Sequence, residues 1–127
     1  MEWYWLLLMM YVAHTIADFH LQGNLANLKQ KSWWENHPDY KPEYCKDYQT
    51  ALVIHGVEWS FITHLPMIWV YGFNPMVCLL IIINAGLHAL IDDAKCNKKA
   101  INLKLDQEFH FIQIVYSIVV MVTIYGV

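Results

Sequence analysis

Apolar residues in this chain gather in long unbroken stretches, not in the 3.6-residue stripe that a soluble helix presents to its core. The stretches run from about 3–21, 51–71, 75–94 and 105–127, each close to the ~20 mostly apolar residues that a spanning helix needs. They predict four membrane spans in an all-α, polytopic, single-domain bundle. A soluble four-helix bundle would need a polar outer stripe, and Leu79–Ile83 and Ile114–Tyr125 offer none. The first stretch lacks the basic leader and small-residue cleavage site of a signal peptide, so it reads as a span.

The connections agree with this layout. Gly72-Phe73-Asn74-Pro75 predicts a tight hairpin, with Asn74 capping the next helix and Pro75 at its first position. Every lysine falls in the other two connections: Lys29, Lys31, Lys41 and Lys46 in the first, Lys95, Lys98, Lys99 and Lys104 in the second. The positive-inside rule makes those connections cytoplasmic, which places both termini and the hairpin outside a bacterial inner membrane. Trp3, Tyr4, Trp5, Trp69, Tyr71 and Tyr125 then form an aromatic belt at the outer face. Within the longer connection, Leu21, Leu25 and Leu28 with Trp33 and Trp34 predict an amphipathic helix lying at the cytoplasmic interface. Pro38 and Pro42 break the remainder into a solvated loop.

Composition sharpens the exclusions. The chain is 57% hydrophobic and only 15% charged, with a net charge of −3. It has no arginine and no basic stripe, which excludes a nucleic-acid module. Three cysteines, Cys45, Cys78 and Cys96, stand at unrelated spacings and predict no disulfide framework.

Against this apolar background, ionisable residues inside spans are costly, at ~2.5–3.5 kcal/mol for an aspartate at a helix centre. Yet three His/Asp pairs occur at helical spacing: His14 with Asp18, His88 with Asp92, and Asp106 with His110. Residues four apart lie one turn apart on nearly the same face, so each pair can reach one ion. With His55 they fall within roughly 12 Å of the cytoplasmic boundary, at 1.5 Å of rise per residue. His14, Asp18, His55, His88, Asp92, Asp106 and His110 are therefore the candidate metal ligands. Glu58, one turn from His55, is the candidate catalytic proton acceptor. Gln22, Asn84, Gln107 and Gln113 are placed to orient ligands from behind. His64 is about 180° from His55 around its helix, His20 lies off the His14/Asp18 face and His37 is in the loop, so all three read as interfacial or surface residues. Asp93 points away from His88 and is expected to pair with a loop lysine.

The strings His14-Thr-Ile-Ala-Asp18-Phe19-His-Leu-Gln22, the isolated His55, His88-Ala-Leu-Ile-Asp92 and Asp106-Gln107-Glu-Phe-His110 resemble the small bacterial and phage membrane proteins catalogued as domain of unknown function 3307. The resemblance spans nearly the whole chain, 29–49 matching least. It implies a polytopic inner-membrane protein with a polar His/Asp cluster and supplies no activity.

Function must then come from chemistry. Imidazole with carboxylate suits a divalent transition metal, zinc, manganese or iron. Seven candidates exceed the four of a closed structural zinc site, and suit two ions or one ion with an open position. The expectation is a metal-dependent hydrolase acting on a lipid, or another ester or phosphoester at headgroup level. Two alternatives stand beside it. One is a divalent-metal or proton transporter, which would have to form a homo-oligomer and would need polar lining in the outer half. There only Ser60, Thr63, His64, Ser117 and Thr123 are polar. The other is a structural adaptor whose His/Asp pairs only hold helices together.

Overall fold

In a computed structural model that describes residues 2–126, the chain is all-helical. Helix α1 (Trp3–Thr15) runs on into a π-helical turn, Ile16–His20. Short helices α2 (Leu25–Leu28) and α3 (Lys31–Glu35) and a 3-10 turn, Pro42–Tyr44, lead to the long helices α4 (Asp47–Tyr71), α5 (Pro75–Cys96) and α6 (Leu103–Tyr125). Three helices, those ending at Tyr71, Cys96 and Tyr125, are long and apolar enough to cross a membrane. The N-terminal helix of 13 residues is not among them.

Local chemistry explains the helix ends. Asn74 accepts from the backbone N–H groups of Met76 and Val77 at 2.9 and 3.0 Å, satisfying two of the free donors that begin α5. Pro75 follows at the first helical position, where its missing N–H loses nothing. Gly72 turns the hairpin at φ 76°, a left-handed value that glycine adopts without strain. Asn102 caps α6 through the N–H of Leu105. The predicted amphipathic helix is instead two pieces, α2 and α3, broken at Lys29 and Gln30. The break has a physical cause: the Lys29 side chain turns inward, and Asn97 ties down the backbone on either side of it.

Packing is inverted relative to a soluble bundle. Large apolar side chains cover the outside of the long helices, including Val53, Val57 and Phe61 on α4, Ile82 and Leu90 on α5, and Ile112 and Val119 on α6. Inside, polar side chains outnumber apolar ones among the described buried residues. The apolar core gathers toward the hairpin, where Leu6, Met10, Met67, Val77, Leu80, Ile114, Ile118 and Met121 interlock. The other end, which carries the lysine-bearing connections, holds the buried Asp18, His55, His88, Asp92, Asp106 and His110. Helix α4 packs against both α1 and α5. At Gly56 the approach to α5 is close: a Cβ there would stand 2.5 Å from the carbonyl oxygen of Ala85. A small residue is what lets two backbones come so near.

Candidate metal centre

Four helices deliver the site. The π turn brings Asp18, α4 brings His55, α5 brings His88 and Asp92, and α6 brings Asp106 and His110; all six are buried. Asp18, His88, Asp92 and His110 each offer a ligand atom within 4.8 Å of the others, an arrangement that could hold a metal ion. A π turn widens the helix by one residue per turn and recurs at functional sites. Here it carries Asp18 inward to the imidazoles of the neighbouring helices.

The carboxylates share one orientation pattern. Asp18 Oδ2 accepts from Gln107 Nε2 at 2.9 Å, and Asp106 Oδ2 accepts from the same amide at 3.0 Å and from Lys95 at 2.8 Å. Asp92 Oδ2 accepts from Lys29 at 2.6 Å. In each case the other oxygen faces an imidazole. His55 Nε2 lies 3.4 Å from Asp18 Oδ1, and His110 Nε2 lies 3.3 and 3.6 Å from the Oδ1 atoms of Asp106 and Asp92. His88 Nε2 lies 3.7 Å from both Asp18 Oδ1 and Asp92 Oδ2. None of these contacts has hydrogen-bond geometry. The Nε2 atoms of His55, His88 and His110 and the Oδ1 atoms of Asp92 and Asp106 are buried without a partner.

Such orphans are rare, because burying a polar atom unpaired costs about 1–3 kcal/mol. Ligand atoms about 2.0–2.1 Å from a tetrahedral zinc stand roughly 3.3–3.4 Å from one another. The 3.3–3.7 Å spacings here fall at and just above that edge length. The donor set fits a divalent cation, and the residues behind it fit too. Gln113 donates both amide hydrogens to Asn84, at 3.1 and 3.0 Å, so its Oε1 faces His110 and accepts from Nδ1 at 3.0 Å. That bond orients the His110 ring, whose Nδ1 also lies 3.2 Å from His88 Nδ1, and leaves Nε2 facing the carboxylates.

Other predicted residues take different places. His14 is buried at the edge of the cluster with both nitrogens engaged: Nδ1 accepts from Trp59 Nε1 at 2.8 Å, and Nε2 donates to Gln107 Oε1 at 3.0 Å. Tryptophan can only donate, so His14 offers no free lone pair. Glu58 is half-buried, and no hydrogen bond or ion pair among the described residues joins it to the cluster. Gln22 donates to the backbone carbonyl of Asp18 at 2.6 Å and does not reach a ligand side chain. Asn84 acts on His110 through Gln113, not on His88. Asp93 pairs with Lys98 at 3.4 Å.

His64 corrects the surface assignment. It is 1% exposed, with Nδ1 2.7 Å from the Ser60 carbonyl and Nε2 3.3 Å from Ser117 Oγ. Because α4 is packed on two sides, a wide arc of its surface is covered, and opposite edges of that arc both point inward. His20 and His37 are exposed, as expected.

Three residues were not anticipated. Trp59 stacks on His88 with centroids 4.1 Å apart and holds His14. Its signal was present, since it follows His55 by the same four residues that join the His/Asp pairs. Lys29 and Lys95 lie in or beside connections, where nothing in the pattern points inward. No protein-family model, curated protein or solved structure matches the chain.

Proposed function

We propose that this chain is a four-span protein of the bacterial inner membrane, and that its His/Asp cluster is the metal centre of a hydrolase acting on a lipid or lipid-linked phosphoester. α1 with its π turn supplies the fourth span: 13 and 5 residues at 1.5 Å each reach about 27 Å, close to the ~30 Å hydrocarbon core. The lysines of the first and third connections support a cytoplasmic site, with both termini outside and Trp33 and Trp34 at headgroup level. The resemblance to the domain of unknown function 3307 proteins rests on the motifs alone and agrees with this placement.

One observation carries the reading. Three orphaned imidazole nitrogens face carboxylate oxygens at 3.3–3.7 Å in the buried interior, with amide and lysine partners fixing the opposite oxygens. A bound zinc, manganese or iron ion supplies Lewis acidity and a water whose pKa is lowered toward ~7. The protein's own groups do the rest. Gln107 bridges the Oδ2 atoms of Asp18 and Asp106, and Lys95 donates to the same oxygen of Asp106, which leaves their Oδ1 atoms facing the imidazoles.

A route for substrate supports the lipid assignment. A groove of about 550 Å³ runs between α1 and α6, lined by Tyr11, Lys104, Gln107, Glu108, Phe111 and Ile112. Its walls are largely apolar and open to the lipid side. Gln107 lines the groove and also bonds Asp18 and Asp106 of the cluster, while Lys104 in the groove wall pairs with Glu108 at 3.8 Å.

Purified protein is expected to carry near-stoichiometric transition metal and to release headgroup or phosphate from a lipid phosphoester. His110→Ala should abolish that release while membrane insertion and helix content persist. Wild-type protein free of metal after purification without chelators, and unable to take it up, would refute the reading.

A second reading, transport of protons or a divalent metal by an oligomer, is favoured by one observation. From His110 a hydrogen-bonded chain continues through Gln113, Asn84, Ser117 and His64 toward the hairpin end. The apolar core beyond it, with Met10, Met67 and Met121, gives no polar continuation. Reconstituted vesicles that pass ions in wild type but not in His64→Leu would establish transport.

A further inference from the structure

We infer that Asp92 divides the cluster into two cation half-sites, one ready to bind and the other held closed by Lys29, whose ammonium acts as a tethered competitor for the incoming ion. This rests on the metal-centre reading above and deepens it. The first half-site consists of His110 Nε2, Asp92 Oδ1 and Asp106 Oδ1, with the nitrogen 3.6 and 3.3 Å from the two oxygens. All three atoms are buried and unpartnered. Lys95 sits on the far oxygen of Asp106, at 2.8 Å, and stays 3.9 Å from Asp92 Oδ1. It balances charge without taking a ligand position.

The second half-site consists of His55 Nε2, His88 Nε2, Asp18 Oδ1 and Asp92 Oδ2. The imidazoles lie 3.4 and 3.7 Å from Asp18 and 3.5 and 3.7 Å from Asp92. Here the Asp92 oxygen is already taken, by Lys29 Nζ at 2.6 Å. Because the two half-sites use opposite oxygens of one carboxylate, Asp92 is in the position of the bridge in a two-metal centre, whose ions stand ~3.5–4 Å apart.

Lys29 is placed there deliberately by the fold. It belongs to the connection between α2 and α3, yet only 4% of it is exposed, a rare condition for lysine. Asn97, just past the end of α5, latches the strand that carries it. Its Nδ2 donates to the Lys29 carbonyl at 3.0 Å, and its Oδ1 accepts from the Lys31 N–H at 2.7 Å. The same Nδ2 donates to Asp93 Oδ1 at 2.7 Å, so the latch is fixed to α5. A divalent ion entering the second half-site must first displace the ammonium. Its apparent affinity is lowered by the fraction of molecules in which Lys29 has withdrawn.

The test is a zinc titration of the chelator-stripped, detergent-purified full chain, followed by calorimetry, with the bound ions counted by elemental analysis. Circular dichroism and gel filtration admit only folded variants. Two steps are expected in wild type. Asp106→Asn should remove the tighter step and His55→Ala the weaker. Lys29→Met should tighten the weaker step about tenfold or more and leave the tighter one unchanged. Asn97→Ala keeps the lysine charge but opens the latch, and should shift the weaker step in the same direction. A single ion per chain, lost in both His55→Ala and Asp106→Asn, would overturn the division while leaving the metal reading intact. A weaker step that moves in neither Lys29→Met nor Asn97→Ala would overturn the role of Lys29. Absence of any zinc step would overturn both this inference and the metal reading beneath it.

Discussion

The two ends of this bundle use the same helices for opposite purposes. Toward the hairpin, Leu6, Met10, Met67, Val77, Leu80, Ile114, Ile118 and Met121 fill the interior. Toward the lysine-bearing connections the same interior becomes His55, His88, Asp92, Asp106 and His110, while the outside stays largely apolar until the first turns of α4 and α6, where Gln49, Thr50, Lys104 and Glu108 are exposed. A middle layer of Ser60, His64, Asn84, Gln113 and Ser117 joins the two by hydrogen bonds. The apolar end needs only shape. The polar end needs each atom satisfied or aimed, and the unsatisfied ones there are concentrated where an ion would sit. Among the described residues, five of the eight buried side-chain atoms without a partner are imidazole Nε2 and carboxylate Oδ1 atoms of the cluster; Gln22 Oε1, His55 Nδ1 and Thr63 Oγ1 are the others.

The largest expected effect breaks the comparison at its polar end. Asp92→Asn removes one negative charge from an oxygen pair facing His55, His88, His110 and Lys29. Metal content should fall below about a hundredth of wild type, the upper end of what even supporting residues contribute. Elemental analysis checks this, and helix content by circular dichroism should be retained.

Ile114→Ala is the converse. Truncating a fully buried isoleucine should cost about 2–5 kcal/mol of stability, read from unfolding in mixed detergent, while metal content stays at the wild-type value. If metal were lost in step with stability, the two ends would not be separable.

Gly56→Ala sharpens the comparison where α4 and α5 meet. The new methyl would stand 2.5 Å from a backbone oxygen that no side-chain rotation can move. An overpacking cost of about 1–3 kcal/mol is expected, again by detergent unfolding. His55 and His88 flank this contact on their own helices, so metal affinity should fall as well, unlike in Ile114→Ala.

The smallest stability effect belongs to the joining layer. Gln113→Leu removes an interhelical hydrogen-bond hub, and such bonds average about 0.6 kcal/mol within membranes. Its effect on the metal should be larger in proportion, about tenfold in affinity, because His110 loses the hydrogen-bond partner that orients its ring. Metal affinity unchanged in Gln113→Leu would show that His110 is oriented by packing alone.

Much of the fold was legible in one dimension. Unbroken apolar runs give helices their lengths, and Asn74-Pro75 marks where α5 starts, because capping is a local matter of one side chain and two N–H groups. Spacing of four brought out the His/Asp pairs, since a helix puts such residues on one face whatever surrounds it. The amphipathic helix expected in the first connection is two short pieces, α2 and α3. Its leucines and tryptophans do recur, but the docking of Lys29 interrupts them.

What the sequence determined by itself is therefore the apolar helices and the level at which the chemistry gathers: hydropathy and helical rise act along the chain. What only the tertiary structure decided is which atoms meet. His14 and Asp18 share a face by spacing. Yet the π turn and the neighbouring helices give Asp18 to the cluster and leave His14 held by Trp59 and Gln107. His64 is inside because α4 is covered on two sides, and Lys29 is inside because Asn97 anchors its strand. Each of these depends on which helix stands opposite, and periodicity within one helix carries no record of its neighbours.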